Sequence, residues 1–250
     1  MSIELYSVDV IIPVYNGSHY IEDSVNSVLN QTHKNLKIII INDCSTDSTL
    51  DVINSLKTDK IKIFNLKRNK GQAFCRNLGL RNSNSQFICF LDSDDYWDDS
   101  KIEKQIHHMI SNNLNFSYTN YVAIKKNKKK KVKVSNNYTY RSFLKDTSIP
   151  TSSIMVKKDL IGFTKFKKKG HGFDDYIFKC DLLIKKNMRN LLLDEYLVFY
   201  NIRKGSISSN SLRNFFWIWN INKNYNKLNF FKNIYCLILI SLKSLVKYTF

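Results

Sequence analysis

Phe87-Ile88-Cys89-Phe90-Leu91 runs straight into Asp92-Ser93-Asp94-Asp95, with Tyr96-Trp97 behind. The apolar run, headed by Gln86, reads as a buried strand. Three carboxylates crowd its carboxyl end. Carboxylates so close repel one another unless positive charge lies between them. A hard divalent cation, Mg²⁺ or Mn²⁺, suits the place, because it prefers oxygen ligands and shares them with substrate phosphates. A strand end followed by a polar helix cap explains the same residues, so the neighbouring chain has to decide.

Upstream, strand and helix signals alternate. Val8 to Val14 is β-rich and is closed by Pro13 and the turn residues Asn16-Gly17. Tyr20 to Leu29 has helical spacing at Ile21, Val25, Val28 and Leu29. Leu36 to Ile41 is a continuous apolar strand, and Ser45 or Thr46 can cap the helix carrying Leu50, Ile53 and Leu56. Ile61 to Leu66 is a third strand, and Gly71 to Leu80 a third helix. This alternation predicts an α/β fold with a mostly parallel sheet covered by helices on both faces. Ligands bind such sheets at the carboxyl ends of the strands. Tyr15-Asn16, Asn42-Asp43 and Asp92-Ser93-Asp94 all fall there, which argues for one site.

After Trp97 the pattern changes. Lys101 to Ile110 reads as a helix and Phe116 to Ile124 as a strand. The run Lys125 to Lys133, flanked by β-type sequence, reads as a solvated hairpin tip, with contact to membrane phosphates as the second choice. It lacks the interleaved aromatics of a nucleic-acid surface, so no nucleic acid is expected. From Ser211 onward, aromatic and aliphatic residues are punctuated by Lys223, Lys227, Lys232, Lys243 and Lys247. That tail is too charged to cross a bilayer but suits helices lying in its interface; packing on the protein's own core is the alternative. A tail bound only to membrane would be removable after Ser211 without harm to the fold.

The net charge of +18 favours polyanionic partners: phosphorylated substrates, an anionic membrane surface or nucleic acid. Five dispersed cysteines with no CxxC pair fit a reducing compartment. No basic leader with an apolar signal core precedes Val8. These features predict a cytoplasmic protein, peripheral on the inner face of the plasma membrane. The five histidines show no metal-ligand spacing, with His171 retained only as an acceptor-site candidate.

The ordered stretches Val10-Ile11-Ile12-Pro13-Val14-Tyr15-Asn16, Ile40-Ile41-Asn42-Asp43-Cys44-Ser45-Thr46-Asp47, Asn69-Lys70-Gly71-Gln72-Ala73-Phe74-Cys75-Arg76-Asn77 and Phe90 to Asp95 carry a resemblance. Together they resemble glycosyltransferase family 2, the inverting nucleotide-sugar enzymes of GT-A fold, and within it the bacterial enzymes of teichuronic acid, O-antigen and capsule synthesis. The likeness covers the first hundred residues closely and the next hundred loosely. It implies a nucleotide-sugar half over 1–97, an acceptor-binding and catalytic-base half over 98–210, and a basic amphipathic helical tail over 211–250.

The resemblance also implies roles. Pro13, Tyr15 and Asn16 border the nucleotide, and Asp43 contacts uracil, which implies a UDP-sugar donor. Asp43 or Ser45 serving as a helix cap is an equally good physical reading. Asp47 is expected to support the turn. Asp94 and Asp92 match the pair at the donor diphosphate: Asp94 binds a divalent ion, Mn²⁺ or Mg²⁺, Asp92 lies near the ribose or that ion, and Asp95 stands behind them. Lys70 and Arg76 can add charge at the phosphates, or be ordinary exposed cations. Inversion needs a carboxylate to take the proton of the attacking hydroxyl. Asp175 matches that base, and Asp174 replaces the more usual Glu before it. Thr151 to Val156 resembles a strand bearing acceptor-site hydroxyls. Tyr200 to Ser208 resembles the family's closing segment, but Asn201 stands where Arg is common and Arg203 where His is common. Arg203 is therefore the candidate for the diphosphate.

The resulting expectation is a metal-dependent inverting glycosyltransferase acting on a glycan or lipid-linked saccharide. A sugar nucleotidyltransferase would need a Gly-rich, Arg-containing loop after the first strand, and Pro13 to Gly17 is no such loop. A non-enzymatic basic protein binding nucleic acid or membrane accounts for the charge but leaves the ordered carboxylates unused.

Overall fold

The computed structural model describes residues 3–126, 128–167, 173–203 and 211–248. The first half alternates as the pattern predicts: β1 (Val8–Val14), α1 (Ile21–Leu29), β2 (Leu36–Asn42), α2 (Thr49–Ser55), β3 (Ile61–Asn65), α3 (Gln72–Asn82) and β4 (Phe87–Phe90). The second half runs β5 (Tyr96–Trp97), α4 (Lys101–Ser111), β6 (Phe116–Lys125), β7 (Lys128–Val132), α5 (Tyr140–Phe143), β8 (Met155–Lys157), α6 (Lys158–Ile161), α7 (Asp174–Leu183) and β9 (Asn190–Asn201), followed by α8 (Ser211–Asn224) and α9 (Phe230–Tyr248).

One sheet carries all of this, in the order β3-β2-β1-β4-β8-β6-β9-β5, with β7 paired to β6. β3, β2, β1 and β4 are parallel. Beyond β4 the sheet is mixed, because β8 runs antiparallel to both β4 and β6. β2 and β4 leave β1 on opposite sides, which opens a crevice at the carboxyl ends of β1 and β4, the usual ligand position in such sheets.

Local chemistry explains why the crevice forms. β1 is buried along its whole length. Ile11 O accepts from Leu91 N (3.1 Å), so the same edge of Pro13, two residues on, faces past the last β1–β4 pair, Ile11–Phe90. A proline is tolerated there because no partner needs its missing N–H. On the other face α3 presses against β1 at Gly79, where a Cβ would come within 2.5 Å of the Ile11 side chain.

The lysine run is a hairpin, with Lys125 paired to Lys128. The tail is not a detachable appendage. Ile218, Ile221, Cys236 and Leu237 are buried in the common core, and Tyr176 on α7 donates to Asn222 Oδ1 at 2.8 Å. Lys243 and Lys247 both reach the buried Asp146. The expectation of a harmless truncation after Ser211 is corrected accordingly, since removing these helices would uncover apolar core.

One buried cation sits behind the crevice. Lys101 is fully buried, its Nζ 3.8 Å from the centre of the Trp97 ring and without a hydrogen-bond partner among the described residues. Burial lowers its pKa from 10.5 to about 8. A lysine whose folded pKa is depressed costs stability below that value, and the cost fades as pH rises from about 8 toward 10.5. Lys101→Met is expected to stabilise the protein by about 1–3 kcal/mol at pH 7, the lost cation–π contact offsetting part of the gain. Urea unfolding at pH 7 and pH 10 checks this, with the advantage shrinking at the higher pH.

Candidate active site

The loop after β1 is stitched to the loop after β2. Asn16, at φ 49°, receives Thr46 N on its Oδ1 at 2.8 Å, and its own N–H donates to Ser45 Oγ at 3.0 Å. Ser18 N and Thr49 N donate to Asp47. Burial alone would raise the Asp47 pKa, but the Thr49 and Ser18 donors outweigh it and hold the group at about 2. Asp47 thus supports the turn. Pro13 is buried, whereas Tyr15 is half exposed at the mouth of the crevice.

Asp43, Ser45 and Thr46 do not cap α2, whose N-cap is Ser48. The Asp43 carboxylate receives the backbone N–H groups of Lys70 and Gly71, both at 2.7 Å, and so holds the loop that opens α3. Gly71 sits there at φ 86°, a conformation glycine adopts without strain.

The three aspartates after β4 have different surroundings. Asp95 is fully buried; Ser152 Oγ donates to it at 2.5 Å and Asn201 N at 3.0 Å. Burial, then the charges of Asp94 and Asp92, push its pKa well up. Asp94 opens to the crevice and receives Arg203 through Nη2 at 2.5 Å and Nε at 2.7 Å. Its pKa is raised by burial and by Asp92, with Arg203 opposing. The Arg203 guanidinium also lies over the Tyr20 ring at 4.5 Å. Asp92 Oδ1 meets Arg76 Nη2 at 2.6 Å.

Arg76 is not the ordinary exposed cation of the second reading. Its side chain is 3% exposed, and its second nitrogen, Nη1, reaches Asp174 Oδ2 at 3.2 Å. A residue on α3 therefore ties the carboxylates after β4 to those opening α7. Asp174 is raised by burial against the opposing pull of Arg76.

Asp175 keeps 30% of its side chain exposed. Its Oδ2 receives Lys179 Nζ at 2.8 Å, one helical turn on, and Thr151 Oγ1 at 3.0 Å. Lys179 is buried and also donates to Ile149 O at 2.7 Å. Burial by itself raises Asp175, but Lys179, Arg76 and the two hydrogen bonds reverse that and hold it at about 2. Asp175 is therefore an ionised carboxylate whose Oδ2 is held and whose Oδ1 receives no hydrogen bond among the described residues. Phe173, just before α7, adopts φ 60°, a left-handed backbone rare for an aromatic residue, and aims the helix start.

The hydroxyl segment differs from expectation. Thr151–Ser153 is a 3₁₀ turn and the strand begins at Met155. Its hydroxyls hold carboxylates: Thr151 serves Asp175, and Ser152 serves Asp95. Lys179 was missed in the sequence, although its i,i+4 spacing from Asp175 was a usable signal. His171 and residues 204–208 of the closing segment lie outside the described residues.

No group of three His, Cys, Asp or Glu gathers as a metal cage among the described residues. Mg²⁺ and Mn²⁺ sites on nucleotides need only one or two carboxylates, with phosphates filling the remainder. Asp94 and Asp92 fit that donor set, and Asp94 already draws a cation, Arg203, into the place.

Comparison with known proteins gives the family and the fold. TuaG of Bacillus subtilis, a glycosyltransferase named for teichuronic acid biosynthesis, is 32% identical over 92% of this chain and 93% of its own. WfaP of Escherichia coli, named as a UDP-Glc:alpha-D-GlcNAc-diphosphoundecaprenol beta-1,3-glucosyltransferase, is 34% identical over 97% of this chain and 96% of its own. Residues 1–349 of Staphylococcus aureus TarS, solved with UDP-GlcNAc, superpose with a TM-score of 0.74 at 19% identity, over 96% of this chain and 73% of that one. The mannosyltransferase PcManGT of Pyrobaculum calidifontis, solved with GDP-Man and Mn²⁺, gives 0.69 at 14% identity, over 99% and 77%. These two structures support the GT-A fold. The sequence profile of Glycosyl transferase family 2 matches residues 9–190, a span that takes in the crevice loops, the carboxylates after β4 and those opening α7, and the chain belongs to that family as a glycosyltransferase.

Proposed function

We propose that the protein transfers a sugar, with inversion, from a UDP-sugar to a glycan or lipid-linked saccharide during synthesis of a bacterial surface polysaccharide, at the inner face of the membrane. The observation that carries this reading is the pair of carboxylate groups facing one crevice, Asp92/Asp94 and Asp174/Asp175, joined through Arg76. The names of WfaP and of the TarS complex support a UDP donor and, for WfaP, a diphospholipid acceptor.

Tyr15 and the loop held by Asp43 border the nucleotide. Asp94 and Asp92 would hold the divalent ion, which when bound neutralises the departing diphosphate as a Lewis acid. Arg203 exchanges Asp94 for the diphosphate, adding a bidentate donor. Asp175, ionised and held by Lys179 and Thr151, takes the proton of the attacking hydroxyl through its unheld oxygen. Asp174, fixed by Arg76, keeps the start of α7 in register with the donor side.

The test is a panel of UDP-, GDP- and dTDP-sugars with Mn²⁺ and released nucleotide as readout, for wild type and Asp94→Ala. Release from one UDP-sugar is expected, falling on the order of 10³-fold in the variant. Equal release by the variant would sink the role of Asp94; release only from GDP- or dTDP-sugars would sink the uridine assignment.

A further inference from the structure

An apolar face remains uncovered. Phe231, Ile234, Ile238, Leu242 and Leu245 line the outer side of α9 at helical spacing and are all exposed, Phe231 by 80% and Leu242 by 56%. The Trp219 and Phe230 rings meet edge to face at 5.6 Å, joining this stripe to the outer side of α8, where Phe216 is exposed. Both helices already bury their inner sides, so the stripe is surplus to the core. Contiguous exposed apolar surface of this kind marks an interaction site.

Charge identifies the occupant. Residues 211–250 contain six Lys or Arg and no Asp or Glu; Lys243 and Lys247 are taken up by Asp146, and Arg213, Lys223, Lys227 and Lys232 are exposed. Lys130 Nζ donates to Val246 O at 2.6 Å, which sets the lysine hairpin of β6 and β7 against the last turn of α9. Lys128, on the same side of β7 as Lys130, is exposed, as are Lys223 on α8 and Lys232 on α9, whereas Lys129 and Lys131 alternate to the other side, over the Phe199 and Tyr196 rings. Two copies of the chain meeting through the stripe would bring cation against cation. An anionic bilayer offers hydrocarbon to the stripe and phosphates to the lysines.

We infer that the outer faces of α8 and α9 together with the lysine hairpin form one membrane-docking surface, which lies in the interface of an anionic bilayer. Among the described residues no helix is long and apolar enough to cross a membrane. The inference deepens the membrane-face reading above, and lipid binding is read without turnover.

The experiment is flotation of the full chain with phosphatidylcholine vesicles, with and without phosphatidylglycerol. Wild type is compared with Ile238→Asp/Leu242→Asp and with Lys128→Gln/Lys223→Gln/Lys232→Gln. Wild type is expected to float with the anionic vesicles only. Each variant should lose at least about tenfold in partitioning, with UDP binding and melting temperature unchanged. Salt should weaken wild type and the aspartate variant while adding little to the loss in the glutamine variant. No flotation of wild type, or flotation of both variants at the wild-type level, overturns the inference. So does a wild-type dimer in sedimentation that Ile238→Asp/Leu242→Asp dissolves, or tighter binding to an RNA homopolymer than to vesicles. Unchanged UDP binding in a non-floating variant keeps failure of docking distinct from failure of the donor site.

Discussion

Asp175→Asn is expected to bind UDP as wild type does and to transfer sugar about 10²–10⁴-fold more slowly. The amide has the same shape, and its oxygen can still accept from Lys179 and Thr151, which bond the carboxylate at 2.8 and 3.0 Å. It cannot take a proton from the attacking hydroxyl. Loss of the charge leaves the buried Lys179 ammonium with neutral acceptors, the new amide oxygen and Ile149 O, in place of its counter-ion, so a melting curve belongs in the experiment. Calorimetry with UDP and Mn²⁺ separates the outcomes: lost UDP binding would mean that the carboxylate shapes the site rather than serving as base. The pH profile is a second check. A base held at about 2 is ionised throughout the working range, so it contributes no acid limb to kcat/KM above about pH 4. Lys179→Met removes the main group depressing it and should bring that limb up into view.

Arg76→Met is expected to cost about 3–5 kcal/mol in stability and nearly all activity. The arginine is buried between Asp92 and Asp174, at 2.6 and 3.2 Å, and both carboxylates are largely buried themselves. Removing one member leaves the others charged with no counter-ion. The sign of the pH dependence follows from Asp174, whose pKa burial already raises and against which Arg76 is the largest opposing influence. Without Arg76 it rises further, so the variant should recover stability as pH falls from 7 toward 5, when that carboxyl takes up a proton. Urea unfolding at the two pH values tests this. A variant as stable as wild type, or one that loses further stability on acidification, would show that the triad does not hold the two halves together. Arg76→Lys should rescue only in part, because one ammonium cannot bridge both carboxylates in the forked geometry.

Periodicity alone revealed the β/α half of the protein. Strands such as Leu36–Asn42 are continuous apolar runs, and amphipathic helices such as Ile21–Leu29 carry their apolar residues on one face, so local sequence and burial agree. That agreement also set Asp43, Asp92 and Asp94 at strand ends and made a ligand crevice there predictable. The Asp174-Asp175 pair was visible because it precedes a helix. β9 was not, since its pairing with β6 slips at Thr119/Asn120 and its burial alternates irregularly.

Which charge meets which was decided only by tertiary structure. Arg76 and Asp174 are 98 positions apart, and Arg203 and Asp94 are 109 apart. No local pattern marks either arginine as a partner rather than a solvated cation. The same holds for Thr151 and Ser152, whose hydroxyls fit a ligand site or a carboxylate equally well until the turn they occupy is known. The tail shows the limit most clearly. Its sequence has apolar residues enough for both a core and a bilayer. Folding against α7 assigned Ile218, Ile221 and Leu237 to the first and left Phe231, Ile238 and Leu242 outside. Sequence fixes the chemistry a side chain can perform, whereas the partner it performs it with depends on contacts between distant segments, which only the packed chain brings together.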